Sequence, residues 1–179
     1  MSAEQTRLEV AGVERVDELR ELWLHLHHHH RSVVGTLPLI DDDELSWQRR
    51  RALYIARISS GTGFLVLAIN RDVVVGYAVV CIQEGPDDTF PVGERYAELY
   101  SLSVAPDRRG QGIGTRLLDF VDDELARRSI VDLTVAVMVG NDDALRLYAR
   151  RGLRPGELVL YRFGARGQRT PESHRIATP

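Results

Sequence analysis

Between Val104 and Thr115 the chain runs Val-Ala-Pro-Asp-Arg-Arg-Gly-Gln-Gly-Ile-Gly-Thr. Gly110, Gly112 and Gly114 alternate with other residues, so backbone N–H groups can converge on an anion without Cβ atoms in the way. The segment closes a predicted strand and opens a predicted helix, whose first turn adds unpaired donors and a positive dipole end. Arg108 and Arg109 bring formal charge beside it. This chemistry suits a diphosphate. A Walker A loop requires Gly-x-x-x-x-Gly-Lys-Ser/Thr, which is absent from the chain. A dinucleotide fingerprint requires Gly-x-Gly-x-x-Gly, but the sixth position is Thr115 counting from Gly110 and Leu117 counting from Gly112. Without further context the same string is also a chain-reversing glycine turn.

The context is specific. Arg109-Gly-Gln-Gly112-Ile-Gly114, preceded by Leu102-Ser-Val104 and followed by Leu117-Leu118, resembles the acetyl-CoA loop of the GNAT superfamily of N-acetyltransferases, Arg/Gln-x-x-Gly-x-Gly/Ala. A second stretch, Asn141-Asp-Asp-Ala144-Leu-Arg-Leu147-Tyr148-Ala-Arg-Arg-Gly152-Leu153, resembles the family's Asn-x-x-Ala-x-x-Leu-Tyr-x-x-x-Gly-Phe, with leucine for phenylalanine at 153. The likeness spans Phe64 to Phe163 by motif and the first sixty residues by architecture.

The resemblance implies acetyl-CoA as co-substrate. Its diphosphate would lie on Arg109, Gly110, Gln111, Gly112, Ile113, Gly114 and Thr115, and its pantetheine arm on the exposed backbone of Leu102, Ser103 and Val104. Those orphan ladder groups would find partners in the pantetheine amides. Tyr148 is implied as the proton donor to the departing thiolate, which a phenol of pKa ~10 can supply. Asn141 would cap its helix and contact the cofactor. Glu98 is implied as the base that relieves an acceptor ammonium of its proton, directly or through water. Period-two alternation places it on one side of its strand with Tyr100, Leu102 and Val104.

Other reactive side chains read less sharply. His27-His28-His29-His30, with His25 nearby, cannot all face one metal on a helix, and no carboxylate or cysteine motif accompanies them. A solvated helix end is expected and no metal. Cys81 is the only cysteine, inside the apolar run Val79–Ile82, where it reads as a buried small hydrophobe and not a nucleophile.

The elements that must position these groups follow from periodicity. A short strand is expected over Arg7–Val13, and a helix beyond Glu14 carries Leu19, Leu22, Trp23 and Leu26. Asp41 and Glu44 resemble a capping box opening a helix over Asp42–Ile58. Strands over Phe64–Ile69 and Val73–Ile82 form a hairpin about Asn70-Arg71-Asp72. A polar loop, Gln83–Gly93, precedes a strand over Tyr96–Val104 that Pro106 closes. Gly112–Arg128 is an amphipathic helix with a stripe of Ile113, Leu117, Val121 and Leu125, broadened by Leu118. Val131–Val139 and Leu158–Phe163 read as strands, flanking a helix over Asn141–Arg151. The order implies an α/β sandwich, a mixed sheet flanked by helices, with parallel strands around the Gly112–Arg128 crossover. One domain over residues 1–164 and a polar, mobile tail over 165–179 complete the organisation.

Composition agrees with a globular protein: 44% of the 179 residues are apolar and 27% charged. The net charge of −3 argues against a domain that coats nucleic acid. Met1–Glu9 has no apolar core of the secretion type, and no window approaches a membrane span, so a cytoplasmic protein is expected. The expected partner is a small-molecule or peptide amine, with no nucleic acid and no membrane, and a homodimer is admitted. Acidic residues at Asp41–Glu44, Glu84, Asp87, Asp88 and Glu94 suggest a cationic acceptor. A non-catalytic acyl-CoA sensor and another nucleotide-binding α/β domain are the rival readings.

Overall fold

A computed structural model describes residues 6–85 and 88–164. Its centre is a five-stranded sheet in the order β1-β2-β3-β4-β5. β1 (Arg7–Ala11), β2 (Gly63–Asn70), β3 (Val73–Glu84) and β4 (Arg95–Val104) are joined antiparallel. β5 (Leu133–Val135) runs parallel to β4. Arg71 and Asp72 form the two-residue β2–β3 loop with φ of 48° and 63°, the mirror-image turn that matches strand twist.

β2 is buried at all eight positions because helices cover both faces of the sheet. On one face Phe64, Val66, Ala68, Ala78 and Val80 meet α3 (Ile113–Arg127), whose stripe of Ile113, Leu117, Leu118, Val121 and Leu125 is wholly buried. On the other, Leu65, Leu67, Ile69, Tyr77 and Val79 meet α1 (Arg20–Val33) and α2 (Asp43–Ser59) through Leu22, Trp23, Trp47 and Tyr54. Each large side chain so buried contributes about 1.5–3 kcal/mol over an exposed one. α4 (Asp142–Ala149) adds Leu147 and Tyr148 to the α3 side.

The outline expected from sequence is present, with four differences. The segment after Gly12 begins as a 3₁₀ turn, Val13–Leu19, and α1 continues to Val33, so His27–His29 lie within the helix and His30 enters its last turn. The N-cap of α2 is Asp42, whose carboxylate accepts from Leu45 N–H, one residue beyond the expected box. β5 has three residues instead of nine: Met138 and Val139 are exposed and lead into Gly140 at φ 88°. The expected strand Leu158–Phe163 does not form. Leu158, Val159, Leu160 and Tyr161 are all more than half exposed, and so short a β5 offers little edge for a further ladder. The expected tail, 165–179, lies outside the described residues. No described helix is long and apolar enough to cross a membrane.

Candidate active site

β4 hands the chain to α3 through a 3₁₀ turn, Pro106–Arg108, and the glycine loop. Gly110 and Gly112 have φ of 73° and 77°, a left-handed geometry that favours glycine. A Cβ built on either meets no protein atom within 4 Å. The space beside both glycines is therefore open, and no protein side chain packs against the loop there. Gly114 differs, with α-helical φ and Val104 Cγ2 3.9 Å from its would-be Cβ. The first intrahelical bond runs from Arg116 N–H to the Gly112 carbonyl at 3.0 Å, which leaves the amides of Ile113, Gly114 and Thr115 without helical acceptors. Arg109 Nε donates to the Val104 carbonyl at 3.2 Å and pins the loop to the strand end. Gln111 Nε2 turns back to the Asp107 carbonyl, and Arg108 engages Asp107.

β4 is paired on one side only where it approaches this loop. β5 covers Ala97, Glu98 and Leu99, and the register against β3 jumps from Leu99 to Ser101. Tyr100 is the extra residue of a β-bulge. From Tyr100 to Val104 no described strand lies on the β5 side. The bulge also reorders the side chains, which corrects the expected stripe of Glu98, Tyr100, Leu102 and Val104. Leu102 and Val104 pack toward α3, while Tyr100 stays with the α1–α2 layer. Ser101 accepts from Tyr54 Oη at 2.6 Å, and Ser103 Oγ donates to the Leu22 carbonyl of α1 at 2.9 Å. With its hydroxyl so engaged, Ser103 offers a ligand its backbone.

α4 is set by Asn141, whose Oδ1 accepts from Ala144 N–H at 3.3 Å. It ends where Leu153 N–H returns to the Tyr148 carbonyl across Gly152 at φ 85°, so the motif's glycine is a helix stop. Tyr148 packs against the α3-side core, and burial pushes its phenol up to about 12. At neutral pH the phenol is protonated.

Glu98 lies across from Cys81 in the β3–β4 register and accepts from Gln83 Nε2 at 2.8 Å. Cys81 is fully buried, and burial raises its thiol, which makes it a poor nucleophile. On the same face as Glu98, Tyr100 borders a cavity of about 380 Å³ between α1 and α2, also lined by Trp23, His27, His30, Arg50 and Met138. Two members of the histidine run thus turn inward, against the expectation of a solvated helix end. His27 is buried, stacks on Trp23 at 5.5 Å and hydrogen-bonds the Ile40 carbonyl at 2.7 Å. His30 meets Trp23 edge-on, and burial lowers it to about 4. The signal in the sequence was helical spacing, Trp23 to His27 and Arg50 to Tyr54, masked by the repetition of histidine.

Three of the acidic residues behind the expected cationic acceptor are engaged within the α1–α2 layer. Asp42 caps α2, Asp43 pairs with His28 and Arg31 at 2.8 and 2.9 Å, and Glu44 meets Arg20 and Gln48. No carboxylate among the described residues lines the cavity, and Asp87 lies outside them.

Comparison with known proteins agrees with this geometry. The model of the Acetyltransferase (GNAT) family matches residues 23–153. The ribosomal protein bS18-alanine N-acetyltransferase of Escherichia coli is 38% identical over 56 residues, 31% of this chain and 38% of that protein. The mycothiol acetyltransferase of Clavibacter michiganensis is 40% identical over 67 residues, 37% of this chain and 22% of that protein. Both matches therefore span well under half of the relative's own length. Among solved structures, a GCN5-related N-acetyltransferase from Ralstonia eutropha superposes with a TM-score of 0.70 at 16% identity, over 89% of this chain and 99% of that one. A predicted acetyltransferase from Clostridium acetobutylicum, solved with acetyl-CoA, gives 0.69 at 16%, over 89% and 96%. At such identities these two share the fold, whereas the family match covers most of this chain together with both of its motifs: the chain belongs to the acetyltransferase (GNAT) family.

Proposed function

We propose that the chain transfers an acetyl group from acetyl-CoA to a primary amine by direct attack in a ternary complex. The observation that carries this reading is the junction of an anion cradle, Gly110–Thr115, with a strand stretch, Tyr100–Val104, paired on one side only. The loop amides and Arg109 take the diphosphate, and the backbone of Leu102, Ser103 and Val104 takes the pantetheine amides as an added strand would. Asn141 holds α4 in place and offers a polar contact to the cofactor. The amine nitrogen attacks the thioester carbonyl carbon, the C–S bond breaks, and the Tyr148 hydroxyl protonates the leaving thiolate. A backbone N–H near Val104 steadies the oxyanion. Glu98, oriented by Gln83, takes the proton of the attacking ammonium directly or through water.

The two relatives are named for alanine of a ribosomal protein and for mycothiol. An amine acceptor, small or peptidic, fits both the fold and the cavity. The single cysteine, buried and unpaired, fits a reducing cytoplasmic setting. Every group named belongs to one chain, and a homodimer is compatible with that. The test is thiol release from acetyl-CoA across an amine library, run beside thermal unfolding with and without CoA. Amine-dependent release is the expected result. Stabilisation by CoA without release for any amine would leave a binding module in place of the enzyme.

A further inference from the structure

Arg50 is set apart among the arginines of the α1–α2 layer by the rings around it and not by a missing counter-charge, since Arg49 and Arg57 also have none among the described residues. Arg20, Arg31 and Arg51 each meet a carboxylate, on Glu44, Asp43 and Asp17. Arg50 pairs with no carboxylate among the described residues. Its guanidinium carbon lies 4.0 Å from the ring centroid of Trp23, 4.8 Å from that of Tyr100 and 5.7 Å from that of Tyr54. The rings hold the planar cation by its faces, and N–H donors at its edge stay available for a planar anion. A cation held in this way without a counter-charge is costly unless a ligand supplies one.

Its surroundings say what that ligand is. Arg50 lines the cavity of about 380 Å³, a volume suited to a small molecule. Trp23, Leu53 and Met138 give it apolar walls, and Arg49 adds a second positive charge. A cationic group placed there would face Arg49 and Arg50 with no lining carboxylate among the described residues. Tyr100, which both lines the cavity and stacks on Arg50, is the bulge residue at which β4 loses β5. The cavity therefore opens at the same stretch of β4 that receives the thioester arm.

We propose that the acceptor is an amino acid with an apolar side chain, its carboxylate held by the Arg50 guanidinium and its amine turned toward β4. This rests on the acetyl-transfer reading above. The deprotonated amine attacks the thioester carbon, and sulfur leaves with the C–S electron pair and takes the Tyr148 proton. The nitrogen sheds its second proton, which restores the Tyr148 hydroxyl by way of solvent, and the product is an N-acetyl amino acid with a free carboxylate. Such a product withholds the positive charge that a free amine would carry.

The experiment compares leucine, leucinamide, isopentylamine and the phosphonate analogue of leucine as acceptors for the full chain with acetyl-CoA, by thiol release. Phenylalanine and its amide repeat the comparison with a larger side chain. Loss of the carboxylate is expected to lower kcat/KM about 10- to 100-fold, the worth of a hydrogen bond to a charged group. Arg50→Gln should lower kcat/KM for the acids by a similar factor and leave the amides unchanged, and Arg50→Lys should recover part of the loss. Stabilisation by CoA should be the same in these variants as in the wild type, since the glycine loop is untouched. Amides or simple amines as good as the acids, the phosphonate preferred to the carboxylate, or equal losses on acid and amide in Arg50→Gln would each overturn the proposal. If Arg50→Gln fails to fold, the wild-type comparison of acid with amide decides alone. Thiol release that favours uncharged or cationic amines defeats this inference and leaves acetyl transfer standing. Neither release nor stabilisation by CoA defeats both.

Discussion

At the scale of single residues, the loop and the tyrosine make separable claims. Gly112 sits at φ 77° with open space where a Cβ would go, so a side chain there clashes with nothing in the protein itself. Gly112→Val is harmful in two other ways. It strains a left-handed position, and it places a branched group in the open space beside the loop that the proposed cofactor would approach. At a hundredfold excess over Kd, CoA should stabilise the wild type by about 2.7 kcal/mol. In Gly112→Val that ligand-induced increment should vanish, whatever the variant's own Tm. An unchanged increment would remove the loop from the cofactor site. Tyr148→Phe asks about chemistry alone. Burial holds the phenol near 12, so the hydroxyl is present at neutral pH as a donor, and its loss leaves the ring packed on the α3-side core. kcat should fall about 10²- to 10⁴-fold with CoA affinity nearly intact. Full turnover, with the chemical step limiting, would return Tyr148 to a packing role.

At the scale of elements, α1 carries a pH signature. His30 is lowered to about 4 from its ordinary 6.5, by burial first and then by His29, His27 and Arg50 as like charges. Burial lowers His27 in the same direction. The unfolded chain takes up these protons near 6.5 while the folded state refuses them until lower pH. Stability is thus fully present above about 6.5, falls as pH drops through that value, and stops falling from this source below about 4. His30→Phe keeps an aromatic edge against Trp23 and removes one proton site, so its Tm should fall less steeply between pH 6.5 and 4. A slope equal to the wild type's would place His30 in solvent. Elements also show what the sequence could and could not tell. Stripes such as Ile113-Leu117-Val121-Leu125 and runs such as Phe64–Ile69 are statements about burial, and burial made them true. The bulge at Tyr100 is not written in alternation, since an inserted residue keeps the same apolar and polar letters while swapping faces. Leu158–Phe163 has strand composition, but a strand also needs an edge, which β5 is too short to provide. His27 and His30 were hidden for another reason: four identical neighbours carry no periodicity from which an inward face can be picked out.

At the scale of the whole molecule, the sheet separates two helical layers, and the proposed cofactor and acceptor sites adjoin where β4 is left without β5. One contact there is close. A Cβ on Gly140 would lie 2.4 Å from the Val33 carbonyl, at the end of α1, and Gly140 itself has φ 88°. This glycine lets the β5–α4 connection touch α1, with Met138 at the cavity wall on one side and Asn141, the cap of α4, on the other. Gly140→Ala must move backbone against backbone, because no flexible side chain can yield. The expected cost is about 1–3 kcal/mol of stability from strain at that position. The functional cost should be uneven. The glycine loop lies on β4 and α3, remote from this contact in the chain, so stabilisation by CoA should persist. The proposed acceptor cavity takes one wall from α1 and another from Met138, so the acceptor KM should rise. Steady-state kinetics varying each substrate in turn separates the two effects. A loss of CoA binding equal to the loss of acceptor binding would mean that the layers do not meet independently, and that the Gly140 contact shapes the cofactor cradle as well.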